Sequence, residues 1–210
     1  LFISSFIVAF LSMKKLLIAT NNLHKIEEFQ EILANLPYEL VSPQQIGLEL
    51  DPDETGTTFE ANAQIKAEAF AAASGLLTLA DDSGLEIDAL QGEPGVYSAR
   101  YGNTAKHDHV ARYQLVLAKM AAIPWEQRTA RFRCVIALAT PTALVGFAEG
   151  KVEGFISYEP KGSGGFGYDP IFFIPELNQH MAELSSAQKH QISHRGRAAQ
   201  AAVPLLAKVE

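Results

Sequence analysis

The sequence predicts an α/β fold built on a twisted central sheet with two lobes. Short apolar runs such as Leu16-Leu17-Ile18-Ala19 alternate along the chain with segments of helical periodicity. The middle of the chain carries strand-like alternation over Ala130, Phe132, Cys134, Ile136 and Leu138, and the tail from about Ser185 returns to helix-forming composition. Neither an internal repeat nor a long low-complexity linker breaks the series.

Taken in order, Leu16 to Ala19 reads as a buried strand that Thr20-Asn21-Asn22 interrupts. Ile26, Phe29, Leu33 and Leu36 recur at helical spacing, which predicts a helix up to Pro37. Tyr38 to Val41 suits a second strand, and Asp51 to Thr58 an acidic loop. An alanine-rich helix follows from about Phe59 to Ser74, closed by Gly75. Leu76 to Ala80 reads as a strand ending at Asp81-Asp82-Ser83-Gly84, after which Leu85, Ile87 and Ala89 alternate with polar positions. Gly92 to Gly102 reads as a loop, and Val110, Tyr113, Leu117 and Met120 as an amphipathic helix before Pro124. The alternating segment from Ala130 to Leu138 predicts a strand with Leu144 to Val152 as its neighbour. A glycine loop leads into a strand at Ile171 to Ile174; Ser185 and Gln188 stand at capping-box spacing, and Pro204 is expected to kink or end the last helix.

With 210 residues the chain is long enough for a substantial core, and 48% hydrophobic with 20% charged residues describes a water-soluble globular protein. Its net charge of -7 argues against a nucleic-acid polymer as partner, because such binders need a broad basic surface. A small anionic ligand held by local cations remains compatible with it. The lone cysteine, Cys134, permits no intrachain disulfide, which suits a reducing cytoplasm, and its apolar surroundings predict an inert core thiol. Residues 1–12, LFISSFIVAFLS, are too short to span a bilayer and lack the leading positive charge of a secretory signal. They read as a leader outside the fold, with 13–210 as one domain and no membrane partner expected.

The stretch Gly162-Ser163-Gly164-Gly165-Phe166-Gly167-Tyr168-Asp169-Pro170 places an aromatic ring and a carboxylate among glycines. It matches G-x-G-x-x-G only literally, since it leads into a strand rather than a helix. It reads as a ligand-lining loop, with a purely structural glycine turn as the alternative. Asp81 and Asp82 are adjacent, so an extended backbone turns them to opposite faces; one is free to face a metal while the other anchors the chain, or both belong to an Asp-rich turn. Lys66 falls on the stripe of Phe59, Ala63 and Phe70, so it either snorkels outward or meets an anion in a cleft, and Asn62 stands one turn away. Thr20-Asn21-Asn22-Leu23-His24-Lys25, between a strand and a helix, forms either a phosphate cradle or an ordinary N-cap. Lys189 and Ser193-His194-Arg195-Gly196 supply cations that suit a binding site or a solvated basic face. His107-x-His109 reads as an exposed helix start rather than a metal site.

Together these motifs, with Glu54-Thr55-Gly56, Phe59-Glu60-Ala61-Asn62-Ala63 and Gly95-Val96-Tyr97-Ser98-Ala99-Arg100-Tyr101, resemble the inosine triphosphate pyrophosphatase family. The resemblance covers essentially all of Met13 to Glu210. It implies an elongated α/β fold with two lobes around a central cleft that holds the active site, usually in a homodimer, and the cytoplasm that the lone cysteine suits is the expected location. It further implies hydrolysis of non-standard purine nucleoside triphosphates (ITP, dITP, XTP) to the monophosphate and pyrophosphate, dependent on Mg²⁺ with Mn²⁺ able to substitute. By that resemblance Asp82 is the catalytic carboxylate and a metal ligand, Glu54 a second metal ligand, and Lys66 the lysine facing the phosphates. Thr20, Asn21, Asn22, Leu23, His24 and Lys25 match the triphosphate loop, and Ser83 a substrate contact. Phe166, Gly167, Tyr168 and Asp169 match the base loop, and Lys189, His194 and Arg195 complete the nucleotide site. Asn21 departs from the glycine common at that position, and Pro204 interrupts the last helix. A nucleotide pyrophosphatase for other modified or pyrimidine nucleotides, or a non-catalytic nucleotide-binding sensor, is the alternative. Intact Asp82, Glu54 and Lys66 weigh against the sensor.

Overall fold

A computed structural model describes residues 13–105 and 108–209. The expected leader and His107 lie outside the described residues. One seven-stranded mixed sheet organises the chain: β1 (Lys14–Ile18), β2 (Tyr38–Val41), β3 (Leu77–Ile87), β4 (Thr129–Thr140), β5 (Ala143–Ile156), β6 (Phe172–Ile174) and β7 (Gln179–His180). The spatial order is β2-β1-β3-β4-β5-β6-β7, with β1 parallel to both β2 and β3 and every later pairing antiparallel. Among the described residues five α-helices flank it: α1 (Leu23–Ile32), α2 (Phe59–Ser74), α3 (His109–Lys119), α4 (Ser186–Ile192) and α5 (His194–Leu206).

The apolar runs are continuous because the sheet is covered on both faces. Leu16, Ile18, Cys134, Ile136 and Leu138 pack with Phe29 of α1 and with Ala198 and Ala202 of α5. The alternate positions, Leu17, Ala19, Val135 and Ala137, pack on the other face with Phe59, Ala63, Ala67 and Phe70 of α2. A third cluster forms the second lobe, where the far ends of β3, β4 and β5 meet α3 and β6 through Leu85, Ile87, Val116, Phe132, Ile156 and Phe172.

Several local expectations hold closely. α2 starts at its Thr58 cap and stops at Gly75, which takes the left-handed conformation. Ser185 and Gln188 form their capping box, and Cys134 is buried, with burial pushing its thiol well above the ordinary range.

Other boundaries move. α1 ends at Ile32 instead of running to Pro37, and the expected loop at Gly92 to Gly102 is largely a 3₁₀ segment, Gly95–Asn103, broken at Arg100 to Gly102. Pro204 lies inside α5, which ends two residues later at Leu206. The strand expected to end at Asp81 continues to Ile87, so Asp81-Asp82-Ser83-Gly84 is mid-strand, paired with Ile136, Val135, Cys134 and Arg133. The pairing satisfies the backbone, and each carboxylate finds its own partner, so the polar run does not break the sheet.

Candidate active site

β3 turns its two aspartates to opposite faces, as strand geometry requires. Asp81 faces α1 and α5, fully buried; its Oδ2 accepts from Lys25 Nζ at 2.9 Å and from Ser83 Oγ at 3.0 Å, with Arg195 Nη2 at 3.4 Å. Burial works to raise its pKa, but Lys25 and Arg195 prevail and hold the carboxyl far below the ordinary range. Asp81 is therefore a permanently charged anchor.

Asp82 faces α2 and the cleft. Its Oδ2 accepts from Asn62 Nδ2 at 3.1 Å, its Oδ1 accepts from the Ser83 backbone N–H at 3.1 Å, and Lys66 Nζ stands 3.6 Å from Oδ1. Burial raises this carboxyl above its ordinary value, against the pull of Lys66 and Lys25. Lys66 Nζ also donates to Glu54 Oε1 at 2.7 Å, so one ammonium joins two carboxylates from distant segments. For Glu54 the opposing effect of burial is outweighed by Lys66, and its pKa falls. Lys66 is thus inward and paired with anions in the cleft, not snorkelling.

The glycine loop forms the other end. Gly162, Gly165 and Gly167 all have positive φ, and a Cβ on Gly165 would lie 2.1 Å from Asp169 Oδ2. That close approach lets Asp169 Oδ2 accept from the Phe166 N–H at 2.8 Å and from Lys189 Nζ at 2.7 Å. Tyr168 is a wall residue, its hydroxyl donating to Ser98 O at 2.8 Å. Phe166 presents its ring to two cations, with Lys189 Nζ 5.0 Å and Arg195 Cζ 5.5 Å from its centroid.

Of the sequence-predicted residues, Thr20, Asn21, Asn22 and Lys25 line one cleft with Glu54, Lys66, Asp82 and Ser83. Phe166, Gly167, Tyr168, Asp169, Lys189, His194 and Arg195 line the same cleft. Leu23 and His24 do not. The Leu23 side chain is 63% exposed and borders a neighbouring groove, while His24 sits at the rim, stacked on Phe166 with centroids 5.3 Å apart. Two amides of the expected cradle are satisfied within the loop: Asn22 N–H donates to Thr20 Oγ1, and His24 N–H donates to Asn22 Oδ1.

Lys189, His194 and Arg195 are buried, which excludes the solvated basic face. They belong to two helices, because Ser193 ends α4 and caps α5. Burial, with Arg195 and Lys189 nearby, keeps His194 well below its ordinary pKa and neutral.

Sequence reasoning missed Glu28, the buried counter-ion on α1 that pairs with Lys189 at 2.7 Å and with Arg195. Its only signal was a position one turn beyond Lys25. His109 was expected to be an exposed helix start; it lies half-buried in the cleft wall, its Nδ1 2.7 Å from Arg112 Nη2. Among the described residues no three His, Cys, Asp or Glu gather at metal-binding spacing, and no helix is long and apolar enough to cross a membrane.

Comparison with known proteins agrees with this geometry. The model of the Ham1 family matches residues 16–205. A protein of Bacillus subtilis named dITP/XTP pyrophosphatase is 50% identical over 186 residues, covering 89% of this chain and 93% of that protein. A protein of the same name from Desulforamulus reducens is 48% identical over 192 residues, covering 91% of this chain and 95% of its own length. The solved structure of the Staphylococcus aureus Ham1 protein superposes with a TM-score of 0.82 at 41% identity, covering 94% of this chain and all of that one. With its cleft residues inside the matched span and its fold shared over 94% of its length, the chain belongs to the Ham1 family.

Proposed function

We propose that the protein hydrolyses the non-standard purine nucleoside triphosphates ITP, dITP and XTP to the monophosphate and pyrophosphate, clearing them from the nucleotide pool. The observation that carries this reading is the convergence of Asp82 and Glu54 on Lys66 Nζ, in the same cleft as the Phe166 ring. One end of the cleft suits a polyphosphate and the other a flat base.

Two carboxylates with hard oxygen donors, already facing a cation, fit Mg²⁺ or Mn²⁺, which is bound by one or two carboxylates plus phosphate oxygens and water. Glu54 and Asp82 would hold it. When bound, the ion would offset phosphate charge and acidify a coordinated water. Asp82 would orient the attacking water at the α-phosphorus and accept its proton. Asn62 fixes the Asp82 rotamer from behind. Lys25 and Lys66 would meet the triphosphate charge. Phe166 would stack on the base, while His194 and Arg195 donate to a carbonyl at the purine 6-position. Adenine would set an amino group against those donors, and each unpaired buried group costs about 1–3 kcal/mol. In this reading the enzyme works as a homodimer in the cytoplasm.

A triphosphate panel (ITP, dITP, XTP, ATP, GTP, CTP, UTP) with pyrophosphate detection, with and without Mg²⁺, tests the proposal. Mg²⁺-dependent release from the first three, at least about tenfold above ATP, is expected. Preference for pyrimidine nucleotides, or no turnover of any triphosphate, would overturn it.

A further inference from the structure

The cations of the cleft are almost all committed. Lys25 is bonded to Asp81, Lys66 to Glu54, Lys189 to Asp169 and Glu28, and Arg195 to Glu28 and Ser83. Arg100 differs. Its nearest carboxylate is Glu54 Oε2, 3.6 Å from Nη1 and beyond hydrogen-bond distance, and the side chain is 47% exposed. Its Cζ lies 5.2 Å from the centroid of the exposed Tyr97 ring. Among the described residues the Arg100 guanidinium makes no hydrogen bond, so its N–H donors are uncommitted beside the Glu54 carboxylate of the cleft.

The backbone aims it there. The 3₁₀ segment is broken at Arg100 (φ -130°), Tyr101 (ψ 131°) and Gly102 (φ 70°). Tyr101 is tied by its hydroxyl to Glu93 Oε2 at 2.6 Å, and Ser98 is held by Gly95 O at 2.6 Å and by Leu85 N–H at 2.9 Å. Arg100 thus projects from a segment fixed on both sides, with only its own side chain free to move. A planar fork of donors, loosely attracted to one carboxylate, is suited to exchange that partner for phosphate oxygens.

We propose that Arg100 is a polyphosphate-binding residue, held loosely beside Glu54 and transferred to the terminal phosphates when a triphosphate enters. There it would stabilise charge on the departing pyrophosphate. The inference rests on the reading of the cleft as a nucleoside triphosphate site. It separates Arg100 from Lys189, His194 and Arg195, which stand at the opposite end around Phe166.

Calorimetric titration with inorganic pyrophosphate and, separately, with inosine monophosphate tests this on the wild type, Arg100→Ala, Arg100→Gln and Arg100→Lys, with ITP kinetics alongside. Pyrophosphate affinity and kcat/KM for ITP should fall about tenfold or more in the Ala and Gln variants, the loss expected for one charge-assisted contact. Lysine should recover part of the loss, and affinity for the monophosphate should stay within about twofold. If the Ala variant fails to fold, the Gln and Lys pair carries the same contrast. Unchanged pyrophosphate affinity in the Gln variant, or equal losses for pyrophosphate and monophosphate, would overturn the assignment. A wild type that binds pyrophosphate through Arg100 yet leaves ITP intact would sink the functional reading while sustaining this one.

Discussion

Adjacent residues of one chemical type have opposite electrostatic fates here. Asp81 is held ionised by Lys25 and Arg195, whereas burial, with the nearby Glu54 charge, raises Asp82 against the pull of Lys66 and Lys25. Folding disfavours the charged form of Asp82 but uses it to hold Lys66 charged, so the two effects oppose and removing that charge should change stability little. Asp82→Asn is therefore expected to lower kcat by about 10²–10⁴-fold, the range for losing a positioned base. Its melting temperature should stay close to that of the wild type. Near-normal turnover, or a clear loss of stability, would show that Asp82 belongs with the anchoring groups. The opposite orientation of the two residues was legible from strand alternation. Which of them faced the cleft was not, because that depends on α2 lying on one face and α1 with α5 on the other.

At the scale of elements, the contact between α5 and β5 places His194 and Arg195. Gly150 of β5 allows it: a Cβ there would lie 2.3 Å from both Ala198 N and His194 O, backbone atoms that cannot step aside. Its φ is not in the left-handed region, so the requirement is for space rather than conformational freedom. Gly150→Ala should lift α5 from the sheet, costing about 1–3 kcal/mol of stability. KM for ITP should rise as well, since the helix carries two cleft residues. Unfolding by urea and steady-state kinetics measure the two effects, and an unchanged KM would show that α5 does not position the base site. The composition of the tail predicted a helix but gave no sign of this glycine, because the clash is between segments about 45 residues apart.

Across the whole molecule, buried ion pairs join segments that the chain keeps far apart. Lys25 of α1 meets Asp81 of β3, and Glu28 of α1 meets Lys189 of α4 and Arg195 of α5. The carboxyls of Asp81, Glu28 and Glu54 all lie below their ordinary values of 3.8, 4.5 and 4.5. The unfolded chain therefore takes up protons on acidification before the folded chain does, so their stabilisation is present above those ordinary values and is lost as pH falls through and below them. Asp82 and Asp169, both raised by burial, act with the opposite sign and offset part of the loss. The melting temperature should fall steeply from about pH 5 to about pH 3, the interval in which unfolded carboxylates titrate. A flat profile there would mean that these pairs do not hold α1, α4 and α5 against the sheet.

By itself the sequence determined the kinds of element and their order, because periodicity, caps and turn residues are local properties of the chain. It also determined the residue types of the site, down to a lysine on an apolar helix stripe and an aromatic ring among glycines. Only the tertiary structure decided that β3 runs on through Asp81 to Gly84, that Lys189 and Arg195 are buried instead of solvated, and that Glu28 is their counter-ion. Each of those outcomes depends on the energy of a charge beside a partner that the chain brings close only by folding. No window of neighbouring residues contains that energy.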